Sequence, residues 1–371
     1  MTLIKTHKDT LLTPLQTVTG IVERRQTLPI LSNVLIKKDN KNLTFLTTDL
    51  EIQIKTCISN GSSDKKTFSF TVSAKKLQDI LRSLSASAEI TLLKKDHHLQ
   101  IKSEKSVFNL QTLPAEDFPE VTEDIEPTTK ITLQQKALKN LLQLVQFSIA
   151  QQDIRYYLNG LLLLIEDTFL KGVATDGHRL AFASITLEEE KTKQEIILPR
   201  KAVFELTKLL NDNEEPIEIE LFKNKARFSF SNVVLTSKII DGKFPDYNRV
   251  IPAKNTKQFT LDRLDFLHAL QRVSILSNQS EQFRGVRLVI TNGNLSIICK
   301  NNEQEEAQDD LEIKYNDDEI DISLNITYLL ELLNNVTTDT IQCALENANS
   351  SVLITIPDNE NYKYIVMPMR I

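Results

Sequence analysis

The sequence predicts an α+β fold built from three similar domains, each with two helices packed on antiparallel sheets. The first observation is an apolar helical pattern that contains Leu12 and recurs at Leu138 and Leu264, with a shift of 126 residues each time. A second helical pattern, at Leu77, recurs at Val203 with the same shift and returns in the last third of the chain. A repeat this long is a whole domain copied twice, because solenoid units span only a few dozen residues.

The chain length agrees with this division. At 371 residues, the chain exceeds the size at which a single hydrophobic core stops growing. We therefore predict an N-terminal domain at residues 1–126, a central domain at 127–253 and a C-terminal domain at 254–371. Repeats that keep their core faces while their surfaces diverge suggest a scaffold, a ring or an array.

Within one repeat, the predicted order is helix, strands, helix, strands. The second helix opens with Pro199-Arg200, because proline is tolerated in a first turn, and Asp176-Gly177 marks a turn between strands. The leucine stripes have helical spacing and are predicted to face the core, so helices cover one face of antiparallel sheets. The elements predicted for the second repeat are a helix from residue 133, strands at 158–165, 170–174 and 180–185, a helix from residue 199, and strands at 217–222 and 226–230.

The composition excludes several classes of protein. With 41% hydrophobic and 25% charged residues, it is that of an ordinary soluble protein. The longest apolar run, residues 161–165, is too short to cross a bilayer, and the N-terminus lacks a signal pattern. The cysteines Cys57, Cys299 and Cys343 are far apart, which disfavours a disulfide framework or a zinc site and fits a reducing cytosol. We therefore expect a cytoplasmic protein with no membrane association, no metal and no cofactor.

Positive charge is concentrated on the predicted helices. The formal net charge of the chain is −6, which at first disfavours a nucleic-acid partner. The six predicted helices together carry +6 and the rest of the chain −12, so one surface could attract a polyanion while the others repel it. Helices also carry lysine and arginine simply as solubilising residues, and charge alone does not separate these two interpretations.

The sequence contains no catalytic motif. It lacks a phosphate-binding loop, a dinucleotide fingerprint, a His-Glu-x-x-His metal motif and a Gly-x-Ser-x-Gly elbow. Asp176 and His178 could be pictured as an acid–base pair, but a turn between strands supplies neither a nucleophile nor a set of metal ligands. A plain turn explains them better, and a binding surface explains them better still when the C-terminus is considered.

The C-terminus is apolar and carries flexible side chains. Apart from the initiator, the methionines of the chain are Met367 and Met369, both within the last five residues. Methionine repacks around partners of different shape, so the tail at residues 364–371 suits a partner-binding site. A last strand of the core is an equally good interpretation of the same residues.

Charge is also distributed unevenly along the chain. Residues 303–319 hold nine acidic residues and one base, Lys314, whereas residues 94–105 hold four lysines and two acidic residues. Opposite charges near opposite ends of a chain suit a heterologous contact that closes by two-fold rotation. A solvated acidic loop is the alternative.

Seven sequence blocks, found in all three repeats, resemble the bacterial DNA polymerase III beta subunit, the sliding clamp. They run from one end of the chain to the other in the order and spacing of that family. The resemblance implies a head-to-tail homodimer that closes a ring of six clamp domains, with helices lining the hole and sheets forming the rim. The blocks are TLPIL at residues 27–31, TDLE at 48–51, RYYLNG at 155–160, TDGHRL at 175–180, FPDY at 244–247, FRGVR at 283–287 and VMPMR at 366–370.

The resemblance also implies three sets of site residues. Relatives carry histidine where this chain has Gln151, and the helices of the third repeat are not basic, so how evenly the ring holds DNA is left open. The residues implied for a pocket that binds partner peptides are Arg155, Tyr157, Leu158, Thr175, Gly177, His178, Arg179, Leu180, Pro245, Arg249, Val250, Ser351, Ile365, Met367, Pro368, Met369 and Arg370. Those implied to face DNA are Arg25, Lys75, Gln152, Tyr156, Arg200 and Lys201. Those implied for the dimer interface are Phe108, Leu110, Ile275 and Leu276.

The function implied by the resemblance is that of a non-enzymatic processivity factor. It encircles double-stranded DNA without sequence preference, because phosphate contacts carry no base readout. Its expected partners are the DNA polymerase III alpha subunit, an ATP-using clamp loader, and other DNA polymerases and repair proteins with clamp-binding peptides. Two alternatives stay open: an enzyme built on Asp176, His178 and Arg179, and a three-domain interaction scaffold that never touches DNA.

Overall fold

The computed structural model describes residues 2–23, 28–39, 42–59, 67–121, 126–277 and 284–369. Six α-helices lie within these residues, two in each predicted repeat, and corresponding helices begin 126 to 128 residues apart. The repeated helix pair is therefore confirmed. No helix in this part of the chain is long and apolar enough to cross a membrane. The helices are α1 (Lys8–Val18), α2 (Ala74–Ser83), α3 (Gln135–Val145), α4 (Arg200–Leu209), α5 (Arg263–Ser274) and α6 (Ile326–Asn335).

The strands of the described residues form three antiparallel sheets. The strands of the first repeat are β1 (Thr2–His7), β2 (Asn33–Lys38), β3 (Asn42–Thr48), β4 (Ile52–Ser59), β5 (Phe68–Ser73), β6 (Glu89–Lys95), β7 (His98–Ser103) and β8 (Ser106–Leu113). Those of the second are β9 (Thr129–Gln134), β10 (Gly160–Thr175), β11 (Arg179–Pro199), β12 (Pro216–Leu221), β13 (Lys225–Phe230) and β14 (Val233–Lys238). Those of the third are β15 (Lys257–Asp262), β16 (Gly285–Thr291), β17 (Asn294–Lys300), β18 (Glu306–Glu312), β19 (Ile320–Asn325), β20 (Thr340–Leu345), β21 (Val352–Ile356) and β22 (Asn359–Val366).

Predicted and observed elements differ at several places in the second repeat. The predicted strand at 180–185 is only the start of β11, which continues to Pro199. The predicted strands at 158–165 and 170–174 are one long strand, β10, whose pairing with β11 is irregular in the middle. The first helix begins at Gln135 because residues 133–134 belong to β9. The turn between β10 and β11, the helix that follows Pro199 and the closing hairpin are confirmed.

The chain folds into two compact units. The first contains residues 1–136 and 204–239, and the second contains residues 137–203 and 240–371. Within the first unit, β4 of the first repeat pairs with β14 of the second. Within the second unit, β11 of the second repeat pairs with β22 of the third. Strand pairing therefore continues from one repeat into the next. The domain bounds at 126 and 253 stay a prediction.

The first unit contains a twelve-stranded sheet. Its strand order is β1-β6-β7-β8-β5-β2-β3-β4-β14-β13-β12-β9. α1 packs against β3 and β4 and buries Leu15, while α2 buries Leu77 and Leu81. Gln78 of α2 donates a hydrogen bond of 2.9 Å to the hydroxyl of Thr19, just after α1. Most residues of the apolar stripes of the first repeat are buried in the core, as predicted, while Leu12, Ile80 and Leu84 are half-buried.

The second unit contains a six-stranded sheet, β10-β11-β22-β21-β20-β15, and a four-stranded sheet, β18-β17-β16-β19. α5 packs against α6 and buries Leu267 and Leu270. The prediction that the whole leucine stripe faces the core is wrong at Leu264, which is 47% exposed. Because α5 begins at Arg263, this leucine falls in the first turn of the helix, and Phe266 is buried instead.

Candidate functional site

An apolar cavity of about 170 Å³ opens in the second unit. Strands β11 and β22 contribute to its lining, because their antiparallel pairing sets Leu180 opposite Ile365. Most of the lining residues belong to the predicted pocket set, so the structure brings together side chains that are far apart in the sequence. The cavity is lined by Arg155, Leu158, Thr175, Gly177, His178, Arg179, Leu180, Phe244, Pro245, Tyr247, Val250, Ile365 and Met367.

The tight turn between β10 and β11 forms one side of this cavity. The hydroxyl of Thr175 donates to the carbonyl oxygen of Arg179 at 2.6 Å and accepts from the N–H of Gly177 at 3.0 Å. Asp176 Oδ1 accepts from the N–H groups of His178 and Arg179 at 2.9 and 3.0 Å. Short polar side chains that bond to nearby backbone groups stabilise turns. The local sequence therefore fixes the shape of this side of the cavity.

Gly177 and Arg155 lie in close contact at the cavity. Gly177 has a φ of +90°, in the region that favours glycine. Arg155 donates to the carbonyl oxygen of Asp176 at 3.2 Å, and Asp153 holds its guanidinium through bonds of 3.0 and 2.7 Å. Hydrogen bonds from the Arg155 side chain and backbone lower the pKa of Asp153 to about 2. The arginine is therefore held in place by an ionised carboxylate.

Arg179 lies beside the cavity as a buried cation. Only 8% of its surface is exposed. Its guanidinium donates to Asp176 Oδ2 at 3.1 Å, to the carbonyl oxygen of Phe147 at 2.6 Å and to the carboxylate of Glu331. It also stacks on Tyr328, 4.3 Å from the ring centroid. Burial alone would lower the pKa of Arg179, but the surrounding tyrosine and acidic side chains raise it overall, so the charge is retained.

The C-terminal tail reaches the cavity directly after β22. The N–H of Met367 donates to the carbonyl oxygen of His178 at 2.9 Å, and the side chain of Met367 lines the cavity with 43% of the residue exposed. Met369 bonds elsewhere, from its N–H to the carbonyl oxygen of Ser323 at 2.7 Å. The residues before Met367 thus form a last strand of the core, whereas Met367 itself lines the cavity.

Some predicted pocket residues do not line the cavity. Arg249 is exposed and pairs with Asp246 at 3.0 Å. The carbonyl oxygen of Ser351 accepts from the side chain of Asn255 at 3.0 Å. Arg370 lies outside the described residues, and a role for any of these residues in a bound complex stays a prediction. The described residues of the predicted pocket set that do not line the cavity are Tyr157, Arg249, Ser351, Pro368 and Met369.

Phe244 and Tyr247 line the cavity but were not in the predicted set. Both are buried, and the ring of Tyr247 stacks on Phe182 with centroids 5.9 Å apart. The sequence does carry a signal for them, because the Phe-Pro pair at residues 118–119 recurs at 244–245 and opens one of the blocks of the resemblance.

Arg200 and Lys201, which are predicted to face DNA, begin α4. Arg200 donates to the carbonyl oxygen of Ile149 at 2.9 Å, and both basic residues are half-buried. Burial lowers the pKa of Arg200 from its ordinary value, and the charge of Arg179 adds to this, although Glu331 acts in the opposite direction. An arginine stays protonated despite such a change, so Arg200 retains a positive charge for a phosphate.

The other residues predicted to face DNA lie on separate elements. Gln152 has a φ of +56°, and Tyr156, in the same connection between α3 and β10, is 57% exposed. Lys75 is half-buried on α2 in the first unit. Arg25 lies outside the described residues. Their contact with DNA stays a prediction.

An open strand edge in the first unit carries two of the predicted interface residues. β8 pairs with β7 from Ser106 onwards but reaches β5 only at Thr112 and Leu113. Along the preceding part of β8, one edge has no strand partner among the described residues. Phe108 and Leu110, on this part, are half-buried. An open edge is a template for pairing with another chain.

A second open edge lies in the second unit. β18 is the outer strand of the four-stranded sheet and pairs only with β17 within the described chain. α5 packs against it, and Arg272 of this helix bonds to Asp309 of the strand. Directly after α5, Ile275 is 72% exposed and Leu276 is half-buried. Exposed apolar side chains next to an open acidic strand suit a subunit contact.

A larger cavity, of about 680 Å³, lies along β15, but none of the predicted site residues lines it. Its walls are mixed, with Gln258, Asp262 and Glu312 beside Phe259, Leu261 and Ile313. Among the residues that the structure describes, no group of three or more His, Cys, Asp or Glu side chains could hold a metal ion. The chemistry of the predicted residues therefore points to the smaller, apolar cavity.

The geometry of the turn favours binding over catalysis. Both carboxylate oxygens of Asp176 accept hydrogen bonds that shape the turn, from backbone N–H groups and from Arg179. A small apolar cavity beside a fixed turn suits a few apolar side chains of a peptide. The fold and the site together define a clamp-type binding protein, built from a repeated α+β unit with open strand edges.

Comparison with known proteins identifies the family. Models of the DNA polymerase III beta subunit match residues 2–122 with its N-terminal domain, 132–246 with its central domain and 248–370 with its C-terminal domain. The beta sliding clamp of Vibrio cholerae is 39% identical over 365 residues, which cover 98% of this chain and 99% of the relative. That of Escherichia coli is 39% identical over 366 residues with the same coverage. The chain belongs to the DNA polymerase III beta subunit family, the bacterial sliding clamps.

Solved structures agree with this assignment. The DNA polymerase III subunit beta from Pseudomonas aeruginosa has a TM-score of 0.94, is 39% identical, and both chains are covered completely. The sliding clamp from Bartonella birtlesii bound to griselimycin has a TM-score of 0.93, is 37% identical, and 99% of each chain is covered. The predicted fold of three clamp domains is confirmed. The family is one of non-enzymatic processivity factors, so the enzyme alternative is wrong.

Proposed function

We propose that two copies of this chain form a head-to-tail ring that encircles duplex DNA and tethers the replicative polymerase to it. The observation that carries this proposal is the match of all three beta-subunit domain models, in order, along the whole chain. It also disfavours the scaffold that never touches DNA. The protein would act where bacterial DNA is replicated, in the cytoplasm, and would need no cofactor of its own.

The apolar cavity is the proposed attachment point for partner proteins. Its lining suits a short apolar peptide, and the fixed turn at residues 175–179 presents a preformed surface, which lowers the cost of binding. The partners proposed for it are the DNA polymerase III alpha subunit, the clamp loader, and other DNA polymerases and repair proteins that carry such a peptide. Because all of them would use one cavity, they would compete for it.

The two open strand edges are the proposed dimer contact. The β8 edge of one protomer would meet the β18 edge of its partner, and two-fold rotation would repeat this contact to close the ring. β8 follows the lysine-rich residues 94–105, whereas β18 lies in the acidic residues 303–319. Opposite charges at the rim would mainly speed association, while the apolar residues near each edge would hold the contact.

Replacing both Arg200 and Lys201 by alanine should weaken the binding of unloaded protein to linear duplex. Phosphate contacts release counterions, and log affinity falls by about 0.9 per phosphate neutralised for each unit of log salt. Loss of two contacts should therefore reduce the salt slope by about 2. Fluorescence anisotropy with a labelled duplex at several salt concentrations measures both effects.

A matched control for this pair is the replacement of Lys223 and Lys254 by alanine. Both lysines are exposed and lie in loops outside the helices and strands, so the variant loses the same charge away from α4. Its affinity and salt slope should match those of the unaltered chain. An equal loss of affinity in both variants would show a response to net charge alone and would contradict a DNA surface at α4.

Replacing Gly177 by alanine should weaken peptide binding roughly tenfold, about 1.4 kcal/mol. A Cβ there would lie 2.9 Å from the nearest guanidinium nitrogen of Arg155, so the arginine must move. Gly293→Ala is the matched control, because its φ is +76° but no atom lies within 4 Å of the added Cβ. Both variants should lose about 1 kcal/mol or more of stability from backbone strain. Calorimetric titration should show that only Gly177→Ala alters peptide affinity; an equal change in both would contradict the assignment.

A further inference from the structure

Glu331 links the cavity to a solvent-exposed face of α6. It is the one acidic side chain of that helix, and its carboxylate accepts a hydrogen bond from the guanidinium of Arg179. The side chain of Arg179 is 8% exposed and that of Glu331 is 41% exposed. One member of this ion pair is therefore buried beside the cavity, while the other still reaches water.

Arg179 both anchors the cavity turn and bonds to Glu331. Its backbone carbonyl and N–H already bond to Thr175 and Asp176, and its side chain bonds to Asp176 as well. A buried guanidinium without a full set of acceptors is costly, so it would shift towards other partners. Because the same residue anchors the turn, such a shift would move the surface formed by Gly177 and His178.

Arg179 and Arg200 donate to carbonyl oxygens only two residues apart, those of Phe147 and Ile149. Their guanidinium groups therefore lie near each other, and Glu331 accepts a hydrogen bond from that of Arg179. In keeping with this arrangement, burial lowers the pKa of Arg200, the carboxylate of Glu331 raises it and the charge of Arg179 lowers it. Like charges so near each other repel, and the nearby carboxylate of Glu331 offsets that repulsion. Glu331 therefore acts on one arginine beside the cavity and on one that begins α4.

We propose that Glu331 is a positioning residue shared by the peptide cavity and the DNA surface. It holds Arg179, and through it the turn that presents Gly177 and His178 to a peptide. It also attracts Arg200, and in doing so it competes with a DNA phosphate for that arginine. This inference rests on the proposed function, in which the cavity binds a peptide and Arg200 meets DNA.

The test uses full-length Glu331→Gln, which keeps the shape of the side chain and removes its charge. A labelled peptide of the DNA polymerase III alpha subunit and a labelled linear duplex serve as probes. The peptide should bind at least about fivefold more weakly, in the range of typical couplings between sites, whereas the duplex should bind more tightly. In the double variant Glu331→Gln with Arg200→Ala, the gain for duplex should disappear while the loss for peptide persists.

Control variants separate this role from a loss of stability. Glu360→Gln removes an exposed acid from β22 and should leave both affinities unchanged. Glu331→Asp keeps the charge and should return duplex affinity towards that of the unaltered chain. If Glu331→Gln binds the peptide more weakly but does not bind the duplex more tightly, Glu331 only supports the cavity and the shared role is overturned. No change in either affinity would also overturn it. If the unaltered chain binds neither probe, the proposed function itself fails and this inference falls with it.

Discussion

Deletion of residues 367–371 should abolish peptide binding and leave the dimer intact. Met367 lines the cavity, and its N–H bond to His178 ties the start of the tail to the turn. A short peptide buries little surface, so the unaltered chain should bind it with micromolar affinity, about −8 kcal/mol. Loss of this apolar wall should bring binding below detection in calorimetric titration. Sedimentation should still show a dimer, because Met367 and Met369 bond to His178 and Ser323, neither of which lies on β8 or β18.

Met367→Ala is the matched variant for the deletion. It keeps the backbone bond to His178 and removes only the flexible side chain, so it should lose part of the affinity. Full-strength binding by the truncated chain would place the peptide site outside this cavity.

Replacing both Ile275 and Leu276 by alanine should convert the dimer into monomers. Ile275 is 72% exposed and directly follows α5, which packs against β18, so in the proposed dimer the partner would bury it. Central interface residues often cost about 2 kcal/mol or more each when truncated. The two together should raise the dimer dissociation constant by about a thousandfold. Sedimentation velocity at micromolar concentration distinguishes a 42.3 kDa monomer from the dimer.

Leu264→Ala is the control for the interface variant. This leucine is also exposed, and it lies in the first turn of α5, whereas Ile275 and Leu276 follow the end of that helix. It should leave the dimer unchanged. A tight dimer in the Ile275 and Leu276 variant would place the interface elsewhere.

The helices could be predicted from the sequence because their signal is local. Apolar residues at helical spacing recur in all three repeats, and the structure confirms the repeated pairs. The error at Leu264 has a physical reason, since periodicity alone does not say where the first turn begins. Likewise, the sequence predicts two strands where the structure has one, β10. Pairing with β11 continues across the irregular middle of β10, and local sequence does not reveal this pairing.

The cavity could not be predicted from local patterns. Its lining combines a turn after β10, the end of β22 and the segment around Phe244, which only the tertiary fold brings together. The family resemblance supplied most of those residues, while Phe244 and Tyr247 were missed. Buried aromatic residues carry the same sequence signal whether they fill a core or line a cavity. The role of Glu331 had no sequence signal at all, since it depends on contact with Arg179.

Retention of loaded protein on a nicked DNA circle, before and after the circle is cut, tests the proposed ring most directly. A closed ring can leave DNA only by opening or by sliding off an end, whereas phosphate contacts weaken steeply with salt. Protein that has not been loaded should leave linear duplex at moderate salt. Loaded protein should stay on the circle at that same salt and leave when the circle is linearised. Equal loss from circles and from linear DNA as salt rises would contradict the ring and would show a protein that binds DNA through a basic patch alone.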